Sequence, residues 1–215
     1  MARRLPPERP LRRHPSYVQP VLKLVVFCEG RNTEPNYLRS FAFEHGNKVV
    51  ELILVPAAGV PMTLVRAAVD ENSRLQALAK KSPDSYDARF QVWALFDFDE
   101  HPKVREALQV ARQNKVAVAM SNPCFELWAV LHLQDQDAEI HRHAIQKLLR
   151  KLMPKYDYRG KVIDYETIAP YYDDACRRAR LICKRRIEEN NPQGNPSTNV
   201  HELMAVIVEN GVRRG

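Results

Sequence analysis

The sequence predicts an α/β fold: a mostly parallel four-stranded sheet flanked by helices, followed by a helical C-terminal extension. Three observations carry this. Short apolar runs alternate with helix-length segments in the order β-α-β-α-β-α-β, and the loops between them are short. The strand runs are also almost continuously apolar, as strands covered on both faces must be.

Residues 21–28 form the first strand, a β-branched run closed by Glu29-Gly30. Thr33 is expected to cap the next helix, with Glu34 and Pro35 in its first turn and Tyr37, Leu38, Phe41 and Ala42 as its apolar stripe. The second strand, 49–55, stops at Pro56. An amphipathic helix over about 62–81 follows, with Leu64, Ala68, Leu75 and Leu78 facing a core. The third strand, 90–96, runs straight into Asp97-Phe98-Asp99-Glu100. A helix over 102–114 and a short fourth strand over 116–120 complete the α/β part. Beyond Ser121-Asn122-Pro123 the pattern is helical, over about 123–133, 141–153, 170–190 and 200–210. The expected organisation is a basic, loosely ordered arm over 1–20, an α/β core over 21–133 and a basic helical extension over 134–215.

Composition excludes several classes. With 215 residues, 45% apolar and 27% charged, the chain is of ordinary globular character and not wholly disordered. The net charge of +7 is uneven: residues 1–20 hold five Arg against one Glu, residues 21–140 are slightly acidic, and residues 141–215 are basic again. An acidic centre between basic ends suits a central metal and a polyanion at the edges; solvated helix surfaces suit it equally. No apolar run approaches the ~20 residues that cross a bilayer, so no membrane partner is expected. Residues 1–20 lack the apolar stretch of a secretion signal. The four cysteines form no CxxC pair, which fits a reducing cytoplasm. Gly160-Lys161 lacks the upstream glycine and following hydroxyl of a phosphate-cradling loop, so ATP hydrolysis by that route is not expected.

Ligands of open α/β sheets gather beyond the carboxyl ends of the strands. That rule selects Glu29, then Asp97, Asp99 and Glu100, then Ser121-Asn122. If strand geometry persists past residue 96, the carboxylates of Asp97 and Asp99 leave on one face while Phe98 turns into the core. Converging carboxylates repel unless a cation lies between them, and Mg²⁺ or Mn²⁺ is the hard ion such oxygens hold. Helix capping is the competing reading of the DxD, and a tight turn that of Glu29-Gly30.

The segments Phe27-Cys28-Glu29-Gly30-Arg31-Asn32-Thr33-Glu34-Pro35-Asn36-Tyr37, Phe96-Asp97-Phe98-Asp99-Glu100, Ser121-Asn122-Pro123-Cys124-Phe125-Glu126-Leu127-Trp128 and Asn195-Pro196-Ser197-Thr198-Asn199-Val200 resemble the RloB family. More broadly, Glu29-Gly30 and Asp97-Phe98-Asp99 resemble the Toprim domain of topoisomerases, primases and overcoming-lysogenization-defect nucleases. The resemblance implies a Toprim-like (Rossmann-like) fold, Mg²⁺ on Asp97 and Asp99, and acid/base chemistry or metal binding at Glu29. It implies a component of prokaryotic phage-defence or abortive-infection loci, often encoded beside an AAA/ABC-type ATPase. A chain of this length has no room for the separate tyrosine domain of type-II topoisomerases, so strand passage is not expected.

The remaining features divide between function and packing. Ser121-Asn122-Pro123 reads as helix-start chemistry, with Phe125, Leu127, Trp128, Val130 and Leu131 as core. Glu126 is an acid among apolar neighbours: either it partners a buried Arg or Lys, or it belongs to the site. His132, His141 and His143 lie near Asp135 and Asp137 at no zinc spacing, and a polar interhelix loop explains them. Cys124 reads as a small buried residue. Arg177, Arg180 and Lys184 share a helix face, with Arg185 beside it. That face suits a phosphate backbone, an acidic partner or water, and Tyr171 or Tyr172 offers a stacking surface. Arg31, Thr33, Glu100, Glu126 and Asn122 are accessory candidates, Arg31 and Thr33 toward a scissile phosphate.

The expected activity is therefore Mg²⁺- or Mn²⁺-dependent hydrolysis of DNA or of tRNA or other RNA, as a defence effector gated by a partner ATPase. A non-catalytic subunit that binds nucleic acid or docks the ATPase is the alternative, and phosphoryl transfer to a small nucleotide is a third. A homo-oligomer is compatible with all of them.

Overall fold

The computed structural model describes residues 22–56, 59–98, 101, 103–157, 159–160 and 162–211. The expected basic arm therefore lies outside the described residues, as do Asp99 and Glu100.

Four parallel strands form the sheet: β1 (Leu22–Cys28), β2 (Val50–Pro56), β3 (Phe90–Asp97) and β4 (Ala117–Asn122). A fifth, β5 (Ser197–Thr198), is antiparallel, and the order is β2-β1-β3-β4-β5. Sequence patterning gives the four parallel strands; the two-residue β5 is too short to show a period. Alternation along β1 and β3 splits the apolar side chains between two layers. Leu24, Val26 and Cys28 with Trp93 and Leu95 face one side, and Val25 and Phe27 with Val92, Ala94 and Phe96 face the other.

The second layer is covered by α2 (Pro61–Lys81) and α3 (Val104–Gln113). Pro61 sits at the start of α2, where its fixed φ and missing N–H cost nothing. Leu64, Val65, Ala68 and Leu75 of α2 and Ala107 and Ala111 of α3 are buried there. Phe98 packs against this layer, as the DxD reading expects.

The first layer is larger. It holds α1 (Thr33–His45), α4 (Glu126–Leu133), α5 (Arg142–Leu152), a short α6 (Tyr165–Ile168), α7 (Tyr172–Glu188) and α8 (Val200–Gly211). Apolar residues of α1, α4, α5, α7 and α8 join β1 and β3 in one cluster, so the segment after residue 134 shares the core of the sheet. Helix α4 is buried from Glu126 to His132, as expected of a helix that is apolar nearly all round. Arg178 of α7 donates to the carbonyls of Leu131 and His132 at 2.8 and 2.9 Å, which satisfies orphan acceptors at the end of α4.

Two expectations are corrected. Ser121-Asn122 does not open a helix: Ser121 pairs with Thr198 and Asn122 with Ser197, which holds both residues in β4. The Asn122–Pro123 peptide is cis, and α4 begins at Glu126. Thr33 is the first residue of α1 and not its N-cap. Asn32 precedes the helix without a side-chain cap, and its Nδ2 donates to the Gly160 carbonyl at 3.0 Å.

Candidate active site

In strand order β2-β1-β3, the chain leaves β1 in one direction and β3 in the other, which opens a crevice at their carboxyl ends. A cavity of about 240 Å³ lies there, lined by Glu29, Gly30, Arg31, Asn32, Thr33, Glu34, Asp97, Phe125, Glu126, Arg142 and Gln146. Pockets for drug-sized ligands run ~300–1,000 Å³, so this one suits a phosphate-sized group better than a whole nucleotide.

Glu29 directly follows β1, and its backbone N–H donates to the Leu95 carbonyl at 3.0 Å, which extends the β1–β3 pairing by one step. Its Oε2 accepts from the backbone N–H of Asp97 at 3.0 Å, so the Glu29 carboxylate is held against the end of β3. His101 Nε2 lies 3.4 Å from Glu29 Oε1.

Asp97 shares the sheet face of Leu95 and therefore meets the first helical layer. Its Oδ1 accepts from the Phe125 backbone N–H at 2.9 Å, just ahead of α4. Its Oδ2 accepts from Arg142 Nη2, on α5, at 2.7 Å. Burial pushes the Asp97 carboxyl well above the usual range, and the charges of Glu34, Glu126 and Glu29 push the same way; Arg142 opposes them.

Glu126 joins this site. It is buried, with Oε1 accepting from Tyr156 Oη at 2.9 Å and Gln146 Nε2 at 3.2 Å. Those two neutral donors replace the Arg or Lys of one sequence reading.

Glu34 is the residue that sequence patterning missed, since an acid in a first helical turn looks like an ordinary dipole partner. It is buried, and its carboxylate lies against Gly30: a Cβ there would stand 2.0 Å from Glu34 Oε2. Gly30 thus makes room for Glu34. Burial, then the nearby Glu126 and Glu29, raise the Glu34 carboxyl from 4.5 to about 7, against the lowering effect of backbone N–H groups. Arg142, Gln146 and Tyr156 lie more than a hundred residues from Glu29 and were equally invisible locally.

The other candidates sit as follows. Arg31 and Thr33 line the cavity, Arg31 exposed and Thr33 buried. Asn122 is not among the lining residues; its Nδ2 donates to the Gln193 carbonyl at 2.7 Å and holds the loop ahead of β5. On α7, Arg177 pairs with Asp174, Lys184 with Glu188 and Arg185 with Asp137. Cys124 is fully buried. His132 belongs to buried α4 instead of a polar loop. Its Nδ1 is 2.8 Å from the Trp128 carbonyl and its Nε2 is 3.2 Å from Tyr37 Oη. Burial lowers it to about 4.

The donor set matches a hard cation in chemistry: four carboxylates, Glu29, Glu34, Asp97 and Glu126, line one cavity with Arg31 and Arg142 as its cationic residues. Among the described residues, however, no three acids, histidines or cysteines are already drawn to one point. The expected third ligand, Asp99, lies outside them.

A family model described as RloB-like protein matches residues 24–207. No curated protein and no solved structure matches the chain.

Proposed function

The chain belongs to the RloB-like protein family, and from this and the cavity we propose that it is a Toprim-like, Mg²⁺- or Mn²⁺-dependent phosphodiesterase of antiphage defence. One observation carries the reading: the Glu29 carboxylate, just after β1, accepts from the backbone N–H of Asp97 at the end of β3 at 3.0 Å, and both residues line the crevice where such sheets bind ligands. Asp97, Asp99 and Glu29 would hold the metal, which when bound would polarise a phosphoryl oxygen and stabilise charge on the leaving oxygen.

The chain's own groups supply the rest. Glu29 lines the cavity beside His101; where it does not hold the metal, it would take the proton from attacking water. The Phe125 N–H fixes the Asp97 carboxylate in one orientation, and Tyr156 with Gln146 does the same for Glu126. The small cavity favours one phosphodiester group over a bound mononucleotide. DNA and tRNA remain equal candidates, with α7 as the surface offered to the backbone and a partner ATPase as the gate.

A second reading, a nucleic-acid-binding or ATPase-docking subunit that cuts nothing, draws on the fact that both Asp97 oxygens already have protein donors. Purified protein with labelled DNA, total tRNA or nucleotides, each with Mg²⁺ or chelator and with or without the ATPase, separates the two. Cleavage that disappears in Glu29→Gln and Asp97→Asn is the expected result. Binding without turnover under every condition would replace it with the second reading.

A further inference from the structure

Arg142 is the only arginine among the cavity's lining residues that makes an ion pair with a described carboxylate of the cavity wall, and it does so with Asp97. Asp97 Oδ1 is held by a backbone N–H that cannot leave without moving Phe125. Oδ2 is held by a side chain, Nη2 at 2.7 Å, whose own exposure is 32%. The second bond is therefore the exchangeable one. A guanidinium does not lose its proton in proteins, so Arg142 can give up Asp97 only by moving.

Resting on the hydrolytic reading of this cavity, we infer that Arg142 is an internal counter-cation: it occupies Asp97 in the absence of a divalent ion and, once displaced, binds the phosphodiester. Two cations cannot share Oδ2 at contact distance without strong repulsion. A displaced guanidinium remains tethered to α5 at the cavity wall, and its planar fork matches two phosphate oxygens. The same residue thus makes cation binding and substrate binding cooperative, because the ion frees the group that the substrate needs.

The test uses full-length wild type, Arg142→Gln, Arg142→Lys and Asp97→Asn. Mn²⁺ binding is followed by the paramagnetic resonance of the free ion. Binding of fluorescent single-stranded DNA and of tRNA is followed by anisotropy in Ca²⁺. Removing a positive charge next to the ligand should tighten Mn²⁺ binding about tenfold or more in Arg142→Gln, the scale of a charge pair a few ångströms apart near a protein surface. Arg142→Lys should lie between, and Arg142→Gln should bind both nucleic acids at least tenfold more weakly than wild type.

If Asp97→Asn abolishes Mn²⁺ binding while Arg142→Gln binds it no tighter than wild type, the displacement is overturned and the hydrolytic site stands. Wild-type nucleic-acid affinity in Arg142→Gln would overturn the phosphate-binding role. Mn²⁺ binding that is absent or indifferent to Asp97→Asn in every variant would remove the hydrolytic reading itself, and this inference with it.

Discussion

Replacing Glu34 by glutamine should make the metal-free protein more stable at neutral and higher pH. Glu34 is buried beside Glu126 and Glu29, and its carboxyl is raised from 4.5 to about 7. The sign follows from proton linkage. Between those two values the folded state binds a proton that the unfolded state has lost, so stability is present below about 4.5, falls as pH rises toward 7, and is flat above it. The raised Asp97 carboxyl acts in the same direction, starting from 3.8. At ~1.4 kcal/mol for each tenfold change in proton affinity, Glu34 alone costs the folded state roughly 3 kcal/mol at pH 8. The amide keeps the shape and an acceptor oxygen for the backbone N–H groups, and removes the charge. For a domain of this size that is a gain of about 6–12 °C in Tm. Thermal denaturation in chelator, at intervals from pH 4.5 to 8, reads it directly. Wild type and Glu34→Gln should nearly coincide at pH 4.5 and diverge as pH rises. Equal melting at pH 8, or curves that stay parallel throughout, would mean that Glu34 is not a buried, strained carboxylate.

Tyr156→Phe removes a 2.9 Å donor to buried Glu126 and should cost about 1.5–3 kcal/mol in urea denaturation; no change would detach Glu126 from that bond. Arg178→Ala strips donors from the carbonyls of Leu131 and His132 and should destabilise by about 2 kcal/mol without altering Mn²⁺ affinity. A matching loss of Mn²⁺ binding would show that α4 does more than seat the site. If α7 follows phosphates, Arg177→Ala and Lys184→Ala should each reduce the slope of log affinity against log salt by about 1, and an unchanged slope would assign those side chains to their Asp174 and Glu188 pairs alone.

The sheet was legible because each parallel strand is a long apolar run, and the strand ends then named Glu29 and Asp97 without further help. Glu34 was not legible. Its burial depends on Gly30 leaving space and on Glu126 arriving from α4, and neither is a local pattern. Arg142, Gln146 and Tyr156 come from α5 and the segment after it, where a periodic helix offers no sign of which residues turn toward a distant strand end. Ser121-Asn122-Pro123 misled for a physical reason: the same residues that open helices also tolerate an edge pairing, and the partner strand is two residues long. The basic face of α7 was read from spacing alone, which shows charge but not the acids of the α4–α5 loop and of α7 itself that pair with it.

Anomalous diffraction from a Mn²⁺-soaked crystal examines the cavity itself. A hydrolytic site predicts a peak ~2.0–2.6 Å from carboxylate oxygens of both Asp97 and Glu29, with the Arg142 guanidinium moved off Asp97. A cavity without a peak, in a crystal where Arg142 still holds Asp97 Oδ2 at millimolar Mn²⁺, would contradict it.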